Sequence, residues 1–167
     1  EEVYTLMEML GRPIVFHTGF DKFYKRAMKP EEMDTLLMRH PDLPVVIAHM
    51  FYPNIKMAFN LLKKYDNVYL DGTNVFSGFR EPLEGENLFE GVPEVNGNDK
   101  SYHVCFNYSL DDLEKYSHRV MVGSDYPLAM NALMEIYKTV QATEISAEAL
   151  QNITKRTAIK FIERFSP

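Results

Sequence analysis

The sequence predicts an α/β fold built on a parallel sheet, and three observations carry that prediction. Runs 13–17 (Pro-Ile-Val-Phe-His), 43–49 (Leu-Pro-Val-Val-Ile-Ala-His) and 119–125 (Arg-Val-Met-Val-Gly-Ser-Asp) are short, apolar and rich in β-branched residues. Such runs read as buried parallel strands and are too short to be helices of their own. Helical patterns alternate with them, which implies right-handed crossovers between neighbouring parallel strands. With 167 residues and 46% apolar content, the chain can bury a core of its own as one domain.

The elements follow in order. Val3, Leu6, Met7 and Leu10 have helical spacing, and Gly11 stands where a helix C-cap belongs. The first strand spans 13–18. Pro30, Glu31 and Glu32 form a favourable first turn, since proline suits the first helical position and acids suit the positive end of the helix dipole. Met33, Leu36 and Leu37 give that helix its buried face, and His40-Pro41-Asp42 ends it before strand 44–49. Pro53 opens a helix with Ile55, Ala58, Phe59 and Leu62 on one side. Asp66-Asn67 turns the chain into strand 68–71. Residues 74–108 break the rhythm with no sustained periodicity, and so form a long loop. Ser109 and Asp112 suit the cap and first turn of a short helix to about Tyr116. Strand 119–123, a helix from about Leu128 to Thr139 and a last helix from Ser146 to about Phe165 complete the chain.

Composition excludes several classes. A net charge of −6 with scattered basic residues argues against a nucleic-acid surface. No stretch approaches the roughly 18 apolar residues of a membrane span. The single Cys105 cannot form an internal disulfide, which favours a reducing, cytoplasmic location. The N-terminus has neither an initiator methionine nor a signal-peptide pattern, and reads as if the chain were entered part-way through a domain.

The strand ends hold the chemistry. Ligating residues at the C-terminal lips of successive parallel strands are how a (β/α) barrel assembles a metal site. His17 precedes Thr18-Gly19, where the backbone turns away; it reads either as a ligand or as a histidine hydrogen-bonded in the barrel mouth. His49 has the same placement one unit later and can ligate a metal or shuttle a proton. Asp125 is the sharpest candidate, because a carboxylate after an apolar strand is costly unless engaged. Gly123 permits close backbone approach there, and capping the next helix is the alternative role for Asp125. Asp71 can orient the site or bind substrate, although Asp-Gly is also a common turn pair. His118 reads as a surface residue and His103 is undecided. The methionines read as core filler. An acidic loop such as 81–99, within 74–108, is most often simply solvated, but its location after a strand end would place it over the active-site face, where long loops set substrate choice. No nucleophile elbow, P-loop or Gly-x-Gly-x-x-Gly occurs.

Pro13-Ile-Val-Phe-His-Thr-Gly19, the strand ending Ala48-His49-Met50, Asn67-Val-Tyr-Leu-Asp71 and Val122-Gly-Ser-Asp-Tyr-Pro127 resemble strands five to eight of the amidohydrolase superfamily. The similarity is to its amidohydrolase-related branch of metal-dependent hydrolases and decarboxylases. Segment 145–161 is similar to the closing helix. The resemblance implies the C-terminal half of a (β/α)8 TIM barrel, a single partial barrel over residues 1–167. It implies that His17 is a metal ligand, that Asp125 is a ligand and proton acceptor, and that His49 is an acid/base or a second-metal ligand. Asp71 is the expected substrate-binding residue. The cofactor implied is a divalent metal, zinc first and manganese next. The activity implied is hydrolysis of a small molecule by metal-activated water at a carbonyl-type centre, with metal-assisted decarboxylation as the alternative.

The chain departs from the family pattern in two ways. It contains no His-x-His pair of the kind the first strand supplies, and it has Thr157-Ala158 where the family often has asparagine before alanine. Strands one to four have no counterpart. Catalytic zinc usually needs three protein ligands, so the N-terminal half of a barrel is the partner expected. The alternative from another class is a non-catalytic half-barrel that forms a homo-oligomer or packs on a partner, covering its open sheet edges.

Overall fold

The computed structural model describes residues 1–18, 28–52, 55–73, 75, 110–124, 137–138 and 140–166. Four parallel strands lie in sequence order: β1 (Ile14–His17), β2 (Val45–Ala48), β3 (Val68–Asp71) and β4 (Val120–Met121). Helix α1 (Glu2–Met9) precedes β1, and α2 (Pro30–Arg39), α3 (Ile55–Lys64) and α4 (Leu110–Tyr116) run between successive strands. Helix α5 (Ala147–Gln151) passes through a π turn (Asn152–Arg156) into α6 (Thr157–Phe165). The α/β class and the parallel sheet therefore match the sequence expectation. The expected loop 74–108 and the helix from Leu128 lie almost wholly outside the described residues, as does Pro53.

Register sorts the sheet's side chains into two faces. Val45, Ile47, Val68, Leu70 and Val120 point one way and are fully buried. They meet Met33 and Leu37 of α2 and Phe59 and Leu62 of α3, all without solvent exposure. Alternation along a strand sends Val15, His17, Val46, Ala48, Tyr69 and Asp71 to the other, concave face. There the ring of Tyr69 packs edge-on against Phe161 of α6 (4.9 Å) and Phe165 (6.1 Å). Arg12, just before β1, donates to the Phe165 carbonyl at 2.7 Å. The end of α6 thus covers the N-terminal side of the concave face and leaves the C-terminal strand ends to form a mouth.

Local chemistry explains the element ends. Gly11 has φ +60, and its amide and that of Arg12 bond back to the Glu8 and Met7 carbonyls, the double closure of a Schellman motif. The Glu32 carboxylate accepts from the Lys29 amide at 3.0 Å and caps α2. The π turn also has a cause. The Ile153 carbonyl accepts the Val122 amide at 3.2 Å, so this helix covers the outer edge of β4.

The helix expected from the spacing of Val3, Leu6, Met7 and Leu10 is present as α1, but most of those residues are not its covered side. Val3, Leu6 and Leu10 are 64%, 55% and 60% exposed, and it is Tyr4 and Met7 that pack on the core. The reason lies in the sheet: β1 is an edge strand, and Val15 on its concave face is 62% exposed as well. No strand among the described residues stands beyond β1 to receive that apolar face. Among the described residues, no helix is long and apolar enough to cross a membrane.

Candidate functional site

The mouth is built from the residues that follow the strands. His17 ends β1, and His49 comes directly after Ala48, the last residue of β2. Their rings meet edge to face with centroids 4.6 Å apart. The two histidines, separated by a whole strand–helix unit in sequence, are therefore neighbours in space.

His49 sits on an unusual turn. His49, Met50 and Phe51 all have positive φ, at 62°, 50° and 54°, although none is glycine. Each such residue costs on the order of 1–2 kcal/mol. The turn is held from both sides. The buried Thr18 hydroxyl donates to the Ala48 carbonyl at 2.5 Å and accepts the Phe51 amide at 2.9 Å. The Tyr52 amide closes on the His49 carbonyl at 2.8 Å. Met50 and Phe51 are themselves 2% and 3% exposed, so their burial offsets part of the strain.

A second chain of contacts sets the ring of His49. Its Nδ1 lies 3.0 Å from the Thr73 carbonyl. A carbonyl can only accept, so Nδ1 carries the proton and Nε2 keeps the lone pair for a ligand or a proton. Thr73 is fixed in turn by Asp71, whose Oδ1 accepts its amide at 2.9 Å and its hydroxyl at 2.6 Å. Gly123, just beyond β4, lies against this corner. A Cβ there would run into the Thr73 hydroxyl and come within 2.9 Å of Asp71 Oδ1. The glycine is required by close approach and not by backbone conformation.

Sequence reasoning pointed to His17, His49, Asp71 and Asp125. The structure brings the first three to one end of the sheet. Asp125 and His103 lie outside the described residues. Among the described residues, no group of three or more His, Cys, Asp or Glu side chains is gathered to hold a metal. The donors present nonetheless suit such an ion: adjacent imidazoles, one with its tautomer fixed by a carbonyl, are the usual first and second layers of a zinc-type site. Sequence reasoning missed Thr18 and Thr73. Their signal was a hydroxyl residue one or two places after each strand-end candidate, in His17-Thr18 and Asp71-Gly72-Thr73.

It also missed His40, which lies away from the mouth. His40 is 5% exposed, and its Nδ1 meets Glu8 Oε2 at 2.8 Å while the Asp42 amide donates to Glu8 Oε1 at 2.9 Å. Burial disfavours the Glu8 charge, but the hydrogen bonds from His40 and Asp42 outweigh it and hold the carboxyl below its ordinary range. This link ties α1 to the turn between α2 and β2. His118 is exposed, as expected, and burial of part of its ring together with Arg119 and Lys160 lowers its basicity.

A family model described as amidohydrolase matches residues 1–164. The chain belongs to the amidohydrolase family. Solved structures similar to this amidohydrolase chain agree on the fold. An uncharacterised TIM-barrel protein of Bordetella bronchiseptica superposes with a TM-score of 0.71 at 20% identity, over 99% of this chain and 50% of its own. A dihydroorotase of Campylobacter jejuni gives 0.63 at 19%, over 96% and 50%. An amidohydrolase of Burkholderia multivorans, with bound HEPES, gives 0.53 at 16%, over 87% and 52%. No curated protein matches the chain. The chain spans about half the length of the solved structures it resembles.

Proposed function

We propose that this chain is the C-terminal half of a (β/α)8 barrel, carrying β-strands five to eight, and that the completed barrel is a metal-dependent hydrolase of small molecules. One observation carries the proposal: His17 and His49 stand ring to ring at the C-terminal ends of adjacent parallel strands. Membership of the amidohydrolase family supports it. His17, through a ring nitrogen, and the Asp125 carboxylate would hold a divalent ion, zinc or manganese, with further ligands from the rest of the barrel. When bound, such an ion activates water and polarises a carbonyl group at neutral pH.

In this reading His49 takes up a proton at Nε2 and, so charged, polarises the substrate carbonyl or passes the proton to the leaving group. Asp125 accepts the proton that the attacking water loses. Asp71 holds Thr73, and Thr73 holds His49, so Asp71 acts first as an orienting residue and reaches substrate only through its second oxygen. The other half of the barrel is the partner. The apolar residues Val3, Leu6, Leu10 and Val15, exposed beside the open edge of β1, would be covered by its last strand and helix. The lone Cys105 suits a reducing, cytoplasmic setting.

The test is hydrolysis by the full product of the gene that encodes this chain, with dihydroorotate among the first substrates tried. Turnover lost with a chelator, restored by zinc or manganese, and lost in Asp125→Asn supports the proposal. Turnover indifferent to chelator overturns it. Carbon dioxide release in place of hydrolysis would assign the decarboxylase reaction.

A further inference from the structure

The left-handed turn after β2 raises a question that the ligand candidates alone do not answer. Three consecutive residues with side chains hold positive φ, and the first of them is His49. A turn so costly persists only where its surroundings over-determine it. The surroundings here converge on one side chain.

Thr18 is 1% exposed. A hydroxyl has one donor and two acceptor sites, and this one spends its donor on the Ala48 carbonyl and accepts the Phe51 amide. Those two backbone groups flank the turn, one before His49 and one at its last residue. Thr18 also follows His17 directly. One hydroxyl therefore joins the residue after the first histidine to both ends of the turn that bears the second.

We propose that Thr18 is a positioning residue: its hydroxyl fixes the left-handed turn, and through it the separation and orientation of the His17 and His49 rings. Its importance for chemistry rests on the hydrolase reading above, whereas its hold on the two rings does not. Without the hydroxyl, the Phe51 amide is left buried and unpaired, and the turn gains by relaxing to negative φ. Relaxation would swing Nδ1 of His49 away from the Thr73 carbonyl and release the preference for its protonation.

The experiment is nuclear magnetic resonance of the histidine rings at a pH where His49 is neutral, with thermal unfolding in parallel. Wild type should show His49 as the Nδ1–H tautomer, with close ring contacts to His17. Thr18→Val should shift the tautomer ratio by about tenfold, the order of one hydrogen bond's net strength, and weaken those contacts. Thr18→Ser, which keeps the hydroxyl, should restore both even where its unfolding temperature stays low. A Thr18→Val protein that is less stable yet keeps one tautomer and the ring contacts would overturn the proposal, since Thr18 would then serve stability alone. So would a Thr18→Ser protein that behaves like Thr18→Val. If Thr18→Val does not fold, exchange of the Phe51 amide in wild type decides: slow exchange supports the bond to Thr18, and exchange at the rate of an open loop overturns it. None of these readouts needs metal or substrate, so they stand whether or not the hydrolase reading does.

Discussion

The two faces of the sheet are built to opposite rules. The face toward α2 and α3 is apolar and, from β2 to β4, fully buried, with β-branched strand residues meeting Met33, Leu37, Phe59 and Leu62. The concave face carries two histidines, an aspartate and a left-handed turn, and it exposes Val15. The difference separates what folds the chain from what the chain does. Burial on the first face can offset the strain that the second face stores at His49–Phe51.

Four substitutions sharpen that contrast, in descending order of expected effect. Phe59→Ala removes the largest fully buried side chain of the helix-covered face. It should cost about 3–5 kcal/mol, seen as a large fall in the denaturant midpoint. Gly123→Ala forces a methyl group against Thr73 and Asp71. A cost of about 1–3 kcal/mol is expected, and the His49 to Thr73 contact should weaken with it in ring spectra.

Glu8→Gln should cost about 1–2 kcal/mol near neutral pH by weakening the link to His40 and the Asp42 amide. Its pH dependence has a definite sign. The folded protein holds Glu8 below its ordinary range, so the charge stabilises fully above the unfolded value of about 4.3 and is lost as pH falls through the folded one. The gap between wild type and Glu8→Gln should therefore close on acidification, as urea unfolding at a series of pH values would record. Last, Val15→Thr on the open concave face should change stability by less than about 0.5 kcal/mol in this chain. A larger loss would mean that the face is already covered.

Much of the helix-covered face was legible in the sequence. Val45, Ile47, Val68 and Leu70 are β-branched or leucine in short runs, and the spacing of Met33, Leu36 and Leu37 marks one side of a helix. What the sequence left open was which side of α1 is covered, since helical spacing locates an apolar stripe without saying whether a partner covers it. The mouth was legible only in outline. His17, His49 and Asp71 stood out as polar residues at strand ends. The turn at His49-Met50-Phe51 was not, because positive φ is ordinarily announced by glycine or asparagine and here is imposed by tertiary contacts. The His40–Glu8 link was equally hidden, since its partners lie 32 residues apart and neither belongs to a motif.

Whether the strand-end residues form part of a metal site is decided by titrating zinc into the full gene product in a calorimeter. A single binding event is expected in wild type, weakened at least about tenfold in both His17→Ala and Asp125→Asn with little change in unfolding temperature. Equal zinc affinity in wild type and both variants would contradict it.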